Sequence, residues 1–222
     1  MKTIFVYLLL IFVVPAAPQT INQFDDNNER HGIWKKYFDN TNVLRYEGEF
    51  NHGKEVGLFK FYQNIGNKAV LVATRDFIKD SNLANVKFFT STGKLISEGQ
   101  MNGKLYIGEW KFYQKNSKEL LILEYYNEEG NLNGDRFVYY KNGEIAEKQH
   151  FENGLLNGES LWYTEDKILI KQMIYNNDKL HGLSKFYSSE GQLIIEGTYK
   201  DDKKVGVWKY FENGVLVEEQ NY

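Results

Sequence analysis

The stretch that decides the fold is GVWKYFENGVLVE, residues 206–218. A glycine is followed by apolar and aromatic residues, then by Asn213-Gly214, and then by a second apolar run that ends at Glu218. Asn-Gly readily supplies the positive φ angles that a two-residue type I′ hairpin turn requires. The stretch therefore predicts two short β-strands joined by a tight turn.

The same pattern recurs along the chain. Residues 182–197 read GLSKFYSSEGQLIIEG, which repeats the order of glycine, aromatic residues, turn, and apolar run with a carboxylate. When the leading glycine is taken as the anchor of a unit, successive anchors lie 24 to 27 residues apart. With Ala84 in place of one glycine, the units start near residues 32, 57, 84, 108, 134, 158, 182 and 206. We therefore expect residues 21–222 to form an array of about eight β-hairpin repeats.

Aromatic residues occupy fixed positions after each anchor. The residue five positions after the anchor is aromatic in every unit, and we predict that these residues fill the repeat core: Tyr37, Tyr62, Phe89, Tyr113, Tyr139, Tyr163, Tyr187 and Phe211. The residue at four positions is aromatic in most units, and adjacent strand residues point to opposite faces, so both faces carry aromatic rows. The residue two positions after the anchor is aromatic in four units. We predict that these four aromatics offer an exposed binding surface: Trp34, Phe59, Trp110 and Trp208.

Composition agrees with an all-β fold. Aromatic residues make up 16% of the 222-residue chain, and 19 Gly stand against 2 Pro, a mixture that suits strands separated by glycine turns. Paired hairpins would build an elongated, single-layer antiparallel sheet, which we expect to curl so that large side chains of adjacent rows bury one another. A closed soluble β-barrel is the alternative architecture.

These residues resemble the MORN repeat in its bacterial variant form, which has the pattern G-x-W-x-x-Y, N-G, a Glu and a second N-G. The likeness runs from about Gly32 to Tyr222, and it departs most in the second unit, where Tyr62 is followed by a longer insertion that leaves the register of residues 63–85 open. The resemblance implies a single antiparallel sheet of successive hairpins. Such proteins are also commonly labelled as antitoxin components, which implies a neutraliser of a partner protein as one alternative function.

Composition and motifs argue against catalysis and against nucleic acid as a partner. The formal net charge is −3, with 27 basic and 30 acidic residues spread along the chain, so we expect no basic surface of the kind that phosphate backbones require. Cysteine is absent, which removes thiolate chemistry and disulfides. We predict no catalytic residue, no metal site and no cofactor.

Two sets of polar residues are candidate sites. The carboxylates Glu47, Glu98, Glu124, Glu147, Glu196 and Glu218 stand at similar places in the second strand of their units. We expect them to pair with cross-strand Lys or with the backbone near the turn, because rungs about 9.6 Å apart are too distant to share one ion. The four histidines, His31, His52, His150 and His181, are expected to be turn and surface residues without convergent neighbours.

The N-terminus has the features of a secretory signal peptide. Lys2 precedes the apolar run from Ile4 to Val14, and small residues follow. The run is shorter than the about 20 residues that a membrane-spanning helix requires. We therefore expect residues 1–20 to be removed near Gln19 or Thr20 and the mature chain to be exported to the periplasm, cell surface or medium. Without a cysteine, the mature chain is not expected to be a lipoprotein.

The expected function is a non-catalytic, exported scaffold that binds a protein. A module of the cell envelope that binds membrane lipid or glycan is the alternative from another class.

Overall fold

The computed structural model describes residues 20–115 and 117–222, and this part of the chain is built from β-strands and turns. The predicted signal peptide lies outside the described residues except for Thr20. The strands are β1 (Gln23–Phe24), β2 (Arg30–Tyr37), β3 (Leu44–Asn51), β4 (Lys54–Ile65), β5 (Lys68–Phe77), β6 (Leu83–Phe89), β7 (Leu95–Asn102), β8 (Leu105–Tyr113), β9 (Leu120–Tyr126), β10 (Gly134–Tyr139), β11 (Ile145–Glu152), β12 (Leu155–Leu156), β13 (Gly158–Tyr163), β14 (Leu169–Asn176), β15 (Lys179–Leu180), β16 (Gly182–Tyr187), β17 (Leu193–Lys200), β18 (Lys203–Glu212) and β19 (Val215–Asn221). Within the described residues, no helix is long and apolar enough to cross a bilayer.

All 19 strands belong to one antiparallel sheet in hairpin order. Each strand pairs with its neighbour along the chain, except that β12 and β13 both pair with β11, and β15 and β16 both pair with β14. Among the described strands, β19 pairs with β18 alone, so the sheet is open at this end. The predicted single antiparallel sheet of tandem hairpins is therefore confirmed, and the closed barrel is wrong.

The second unit differs from the others in the length of its hairpin. Strands β4 and β5 pair out to Ile65 and Lys68, with one shift of register between Phe61 and Tyr62, and Gly66 and Asn67 form the turn at φ angles of 56° and 59°. Both residue types tolerate positive φ. The sequence that departs from the repeat between 63 and 68 therefore extends the two strands and leaves the order of strands unchanged.

The anchor glycines stand where the strand pairing is interrupted. In β18, Val205 pairs with Thr198 and Lys209 pairs with Glu196, so a bulge contains the anchor Gly206 at φ 67°. A side chain disfavours this conformation, whereas glycine adopts it freely. The repeated glycine is therefore explained by the backbone geometry at the point where each unit bends.

The buried residues gather on one face of the sheet. Trp110 is fully buried, and its ring lies 3.7 Å from that of Tyr106 and 6.3 Å from that of Phe88, measured between centroids. Every extensive contact between described strands is a contact between neighbours in the sheet. The core is therefore a thin aromatic layer in which side chains of adjacent strands bury one another.

Candidate interaction surface

The strand register sorts the side chains onto two faces with different chemistry. One row consists of the residues four positions after each anchor together with the residues that pair with them in the neighbouring strands. This row defines the aromatic face, which contains the buried layer. It reads Lys36, Tyr46, Phe61, Ala73, Phe88, Ser97, Phe112, Ile122, Val138, Glu147, Trp162, Lys171, Phe186, Ile195, Tyr210 and Glu218. Residues one position away point to the other side.

A second row consists of the residues three positions after each anchor together with their partners in the neighbouring strands. This row defines that other side, which we call the ladder face. It reads Lys35, Glu47, Lys60, Thr74, Lys87, Glu98, Lys111, Leu123, Phe137, Lys148, Leu161, Gln172, Lys185, Glu196, Lys209 and Glu219. Near both ends of the sheet, the row alternates between lysine and glutamate. Glu47 lies 3.6 Å from both Lys35 and Lys60, measured from amine nitrogen to carboxylate oxygen.

The six carboxylates predicted to be equivalent are not all on the same face. Glu47, Glu98 and Glu196 lie on the ladder face and each contacts a cross-strand lysine, as expected. Glu124, Glu147 and Glu218 lie on the aromatic face, so the predicted equivalence is wrong for these three. A shift of one residue along a strand turns a side chain to the opposite face, which explains the difference.

Two of the carboxylates on the aromatic face hold an arginine. Arg136 stands two residues after its anchor, where the first, fourth and eighth units have tryptophan, and its Nε donates to Glu124 Oε1 at 2.9 Å. Its Nη1 lies 3.6 Å from Glu147 Oε2 and donates to Gln149 Oε1 at 3.0 Å. A partly buried charge thus has paired oxygens around it, as burial of a charge requires.

The predicted repeat-core aromatics lie on the ladder face, and all except the exposed Tyr37 are partly buried. Three of them also bind the preceding unit through their hydroxyl groups. Tyr62 donates to Glu47 at 2.8 Å, Tyr113 donates to Glu98 at 2.5 Å, and Tyr187 lies 3.5 Å from Gln172 Oε1. Burial and the bond to the carboxylate raise the pKa of Tyr62 and of Tyr113 to about 12. The same bonds lower the pKa of Glu47 and of Glu98.

The charged row is interrupted in the middle of the ladder face. Leu123, Phe137 and Leu161 take the positions that lysine or glutamate holds elsewhere, and all three are partly exposed. The ring of Phe137 stacks with that of Tyr139, with 6.3 Å between centroids, and Lys148 Nζ lies 5.7 Å from the Phe137 centroid. The central patch (Leu123, Phe137 and Leu161) is therefore a mainly apolar area, with Lys148 between Phe137 and Leu161, within a row that is otherwise mainly charged.

The aromatics predicted to form an exposed surface lie mostly in the buried layer. Phe59, Trp110 and Trp208 are at most 1% exposed, so the expectation of exposure is wrong for these three, and Trp34 is partly buried. The reason is a glycine in the preceding strand. A Cβ on Gly99 would stand 2.5 Å from the Trp110 ring, and Gly48 and Gly197 are placed in the same way beneath Phe59 and Trp208.

Sequence reasoning missed this glycine and a further column of six aromatic residues and one methionine. Gly48, Gly99 and Gly197 each precede their aromatic partner by 11 residues, which is a signal that the sequence contains. Opposite the anchors, on the aromatic face, stand Phe50, Phe77, Met101, Tyr126, Phe151, Tyr175 and Tyr199. Their distance from the anchor varies with the length of the turn between them, which hides the column from a search at fixed spacing.

One cluster brings together residue types that bind metals. Ligand atoms of Asp25, His31 and His52 lie within 4.8 Å of one another. The expectation that the histidines lack convergent neighbours is therefore wrong for His31 and His52. His150 and His181 each contact a single aspartate, Asp135 at 2.7 Å and Asp201 at 3.4 Å.

Comparison with known proteins agrees with the repeat pattern. No curated protein matches the chain. The family described as MORN repeat variant matches at three places, residues 132–153, 180–201 and 204–222. These segments cover the hairpins anchored at Gly134, Gly182 and Gly206. The resemblance is thus confirmed for these three segments, which match the MORN repeat variant.

Proposed function

We propose that the protein is a non-catalytic, exported scaffold that binds a protein partner through the ladder face. MORN repeats are generally protein-binding or membrane-binding repeats, and their family is generally non-enzymatic. The choice of a protein partner rests on the ladder face of this chain.

The central patch is the observation that carries the proposal. Protein interfaces combine apolar and aromatic residues at their centre with a polar rim. Here Leu123, Phe137 and Leu161 interrupt a row whose two ends consist mainly of lysine and glutamate. Extensive contacts among the described strands all run between sheet neighbours, so this face is open to a partner.

The charges on the ladder face favour a protein over a membrane surface. Anionic lipid attracts clusters of basic residues. On this face, however, Glu47, Glu98 and Glu196 each lie beside lysine, and Asp135 lies 3.0 Å from Lys148, which offsets part of the positive charge along the row. Binding to anionic vesicles that weakens with added salt would support the lipid alternative and count against the protein partner.

Site-specific photocrosslinking tests the proposal. A benzoylphenylalanine is placed at Phe137, in the central patch, and at Lys87, in the charged part of the same row. We expect one recurring protein adduct from position 137 in cells of the source organism and a much weaker adduct from position 87. The variant Leu161→Glu should remove the adduct at 137, because it places a charge in the apolar patch. Equal adducts at both positions, or no effect of Leu161→Glu, would contradict the proposal.

Export is proposed from the N-terminal sequence. Lys2 and the apolar run from Ile4 to Val14 support recognition by the secretory machinery. The intact mass of the chain recovered from a bacterial periplasm or medium should correspond to a mature protein that begins near residue 20. A full-length mass, or retention of the chain in the cytoplasm, would contradict export.

A further inference from the structure

A second candidate site lies at the N-terminal end of the sheet, away from the central patch. Three segments meet there: the turn between β1 and β2, which contains Asp25, strand β2, which contains His31, and the turn between β3 and β4, which contains His52. The imidazole rings of the two histidines have centroids 4.9 Å apart. Two imidazoles and one carboxylate are thus held together by a turn, the strand that follows it and a later turn of the sheet.

The Asp25 carboxylate is fixed by its own turn. Its Oδ1 accepts hydrogen bonds from the backbone N–H groups of Asn27 and Glu29, both at 2.9 Å. The other oxygen, Oδ2, lies 2.5 Å from His52 Nδ1. The turn therefore presents one carboxylate oxygen toward the histidines.

The turn that contains His52 is attached to the same strand as His31. His52 and Gly53 have φ angles of 46° and 77°, and the Gly53 N–H donates to the Arg30 carbonyl oxygen at 2.9 Å. Because Arg30 directly precedes His31, this bond places the two histidines side by side. A second carboxylate, that of Glu29, lies beside Gly53.

We propose that Asp25, His31 and His52 bind a zinc-type divalent transition metal ion. Imidazole nitrogen and carboxylate oxygen are ligands of Zn²⁺ at about 2.0–2.2 Å, and in a tetrahedral site such atoms lie about 3.3 Å apart. The present separations reach at most 4.8 Å, so small side-chain rotations convert the cluster into a site. The exposed His52 side chain has room for that rotation. Water supplies the fourth ligand, as it does in other zinc sites with three protein ligands.

The chain contains its own controls. His150 with Asp135 and His181 with Asp201 are also histidine–aspartate contacts on this sheet. Within residues 20–115 and 117–222, however, the cluster at Asp25 is the one group of three such side chains with convergent ligand atoms. Metal binding that needs three ligands will therefore distinguish the N-terminal cluster from the two pairs. A bound ion would join residues from three segments and so stabilise the first unit.

The test uses the untagged mature chain, freed of metal by a chelator and titrated with ZnCl₂ by calorimetry. We expect one ion per chain and a rise in melting temperature on binding. His31→Gln and His52→Gln should each weaken binding about tenfold or more. The double variant His150→Gln/His181→Gln should bind as the wild type does.

Histidine signals in the NMR spectrum of the wild type give a readout that does not depend on the folding of a variant. Zinc should shift the imidazole signals of His31 and His52 and leave those of His150 and His181 unchanged. Absence of binding, equal shifts of all four histidines, or loss of binding in the control double variant would each overturn the proposal.

Discussion

Two pairs of units fill the same place in the buried layer in opposite ways. One pair is the fourth and eighth units, and the other is the sixth and seventh units. Two residues after the anchor, the fourth and eighth units have Trp110 and Trp208, whereas the sixth and seventh units have Ser160 and Ser184. All four side chains are buried, with at most 1% exposed. A tryptophan and a serine occupy equivalent buried positions, so the neighbouring strand must compensate for the difference in volume.

The compensation is visible 11 residues upstream. Trp110 and Trp208 lie over Gly99 and Gly197, whose missing side chains leave room for the indole rings. Ser184 is preceded at the same distance by Met173, which is itself buried and pairs with Ser160. The filling side chain thus comes from the first strand of the hairpin in the tryptophan units. Met173, in the second strand of the sixth unit, fills the space beside Ser160, whereas the seventh unit has Gly197 opposite Ser184. Repeats can vary in this way because each one needs to fit only its neighbours.

The largest effect is expected from removing a tryptophan. Trp110→Ala should lower the free energy of unfolding by about 3–5 kcal/mol, because it deletes a large buried side chain and leaves a cavity over Gly99. Trp34→Ala is the matched variant, since Trp34 holds the equivalent position but is partly exposed. Urea unfolding followed by circular dichroism measures both changes. A loss for Trp110→Ala no greater than that for Trp34→Ala would contradict the assigned role of Trp110 in the core.

A swap between unit types tests the compensation directly. Ser184→Trp alone should be destabilising by about 1–3 kcal/mol, because the ring would overlap Met173. In the double variant Ser184→Trp/Met173→Gly, the arrangement of the eighth unit is rebuilt. We therefore expect the double variant to be more stable than the sum of the two single changes predicts, by about 0.5–3 kcal/mol in a double-mutant cycle. Additive effects would show that the size of the side chain at position 173 does not determine whether a tryptophan fits at position 184.

The local features of this structure could be predicted from the sequence, whereas several nonlocal features could not. The anchors, the turns such as Asn213-Gly214, and the column from Tyr37 to Phe211 repeat at nearly constant spacing, so one unit could be interpreted by comparison with the next. Burial of Trp110 could not be assigned in that way, because both faces carry aromatic rows and alternation alone does not show which face is packed.

The candidate sites depend on features outside the repeat. Glu98 and Glu124 occupy similar places in sequence, yet the register places them on opposite faces. The cluster at Asp25 depends on the turn before the first anchor, which has no counterpart in the later units. The interruption of the charged row at Phe137 becomes visible only when 16 strand positions are aligned by their pairing. Pairing between strands, more than local pattern, was the missing information.

The serine units should gain stability when their buried hydroxyl groups are removed. Within the described residues, Ser160 Oγ and Ser184 Oγ are buried side-chain atoms without a hydrogen-bond partner. A buried, unsatisfied polar group costs about 1–3 kcal/mol, so Ser160→Ala and Ser184→Ala should each raise the free energy of unfolding by about 1 kcal/mol. Ser188→Ala is the control, because Ser188 Oγ accepts backbone bonds from Glu190 and Gln192. A loss of stability in both core variants, measured by urea unfolding, would show that their hydroxyl groups are bonded in solution.

The smallest effect concerns the tyrosine bond that the fourth unit has and the sixth unit lacks. Tyr113 donates to Glu98, whereas the residue 15 positions before Tyr163 is Lys148. The lowered pKa of Glu98 means that its contribution to stability is present above the ordinary glutamate pKa of 4.5 and is lost as pH falls through the lowered value.

The raised pKa of Tyr113, about 12, has the opposite sign: its contribution is present below pH 10 and is lost as pH rises from 10 toward 12. Tyr113→Phe should therefore lower stability at neutral pH by about 0.5–1.5 kcal/mol and flatten the pH profile at both ends. Tyr163→Phe should leave that profile as it is in the wild type, because no carboxylate accepts its hydroxyl from the Lys148 position. Identical pH profiles of stability for the wild type and Tyr113→Phe would show that the bond to Glu98 does not stabilise the contact between these units.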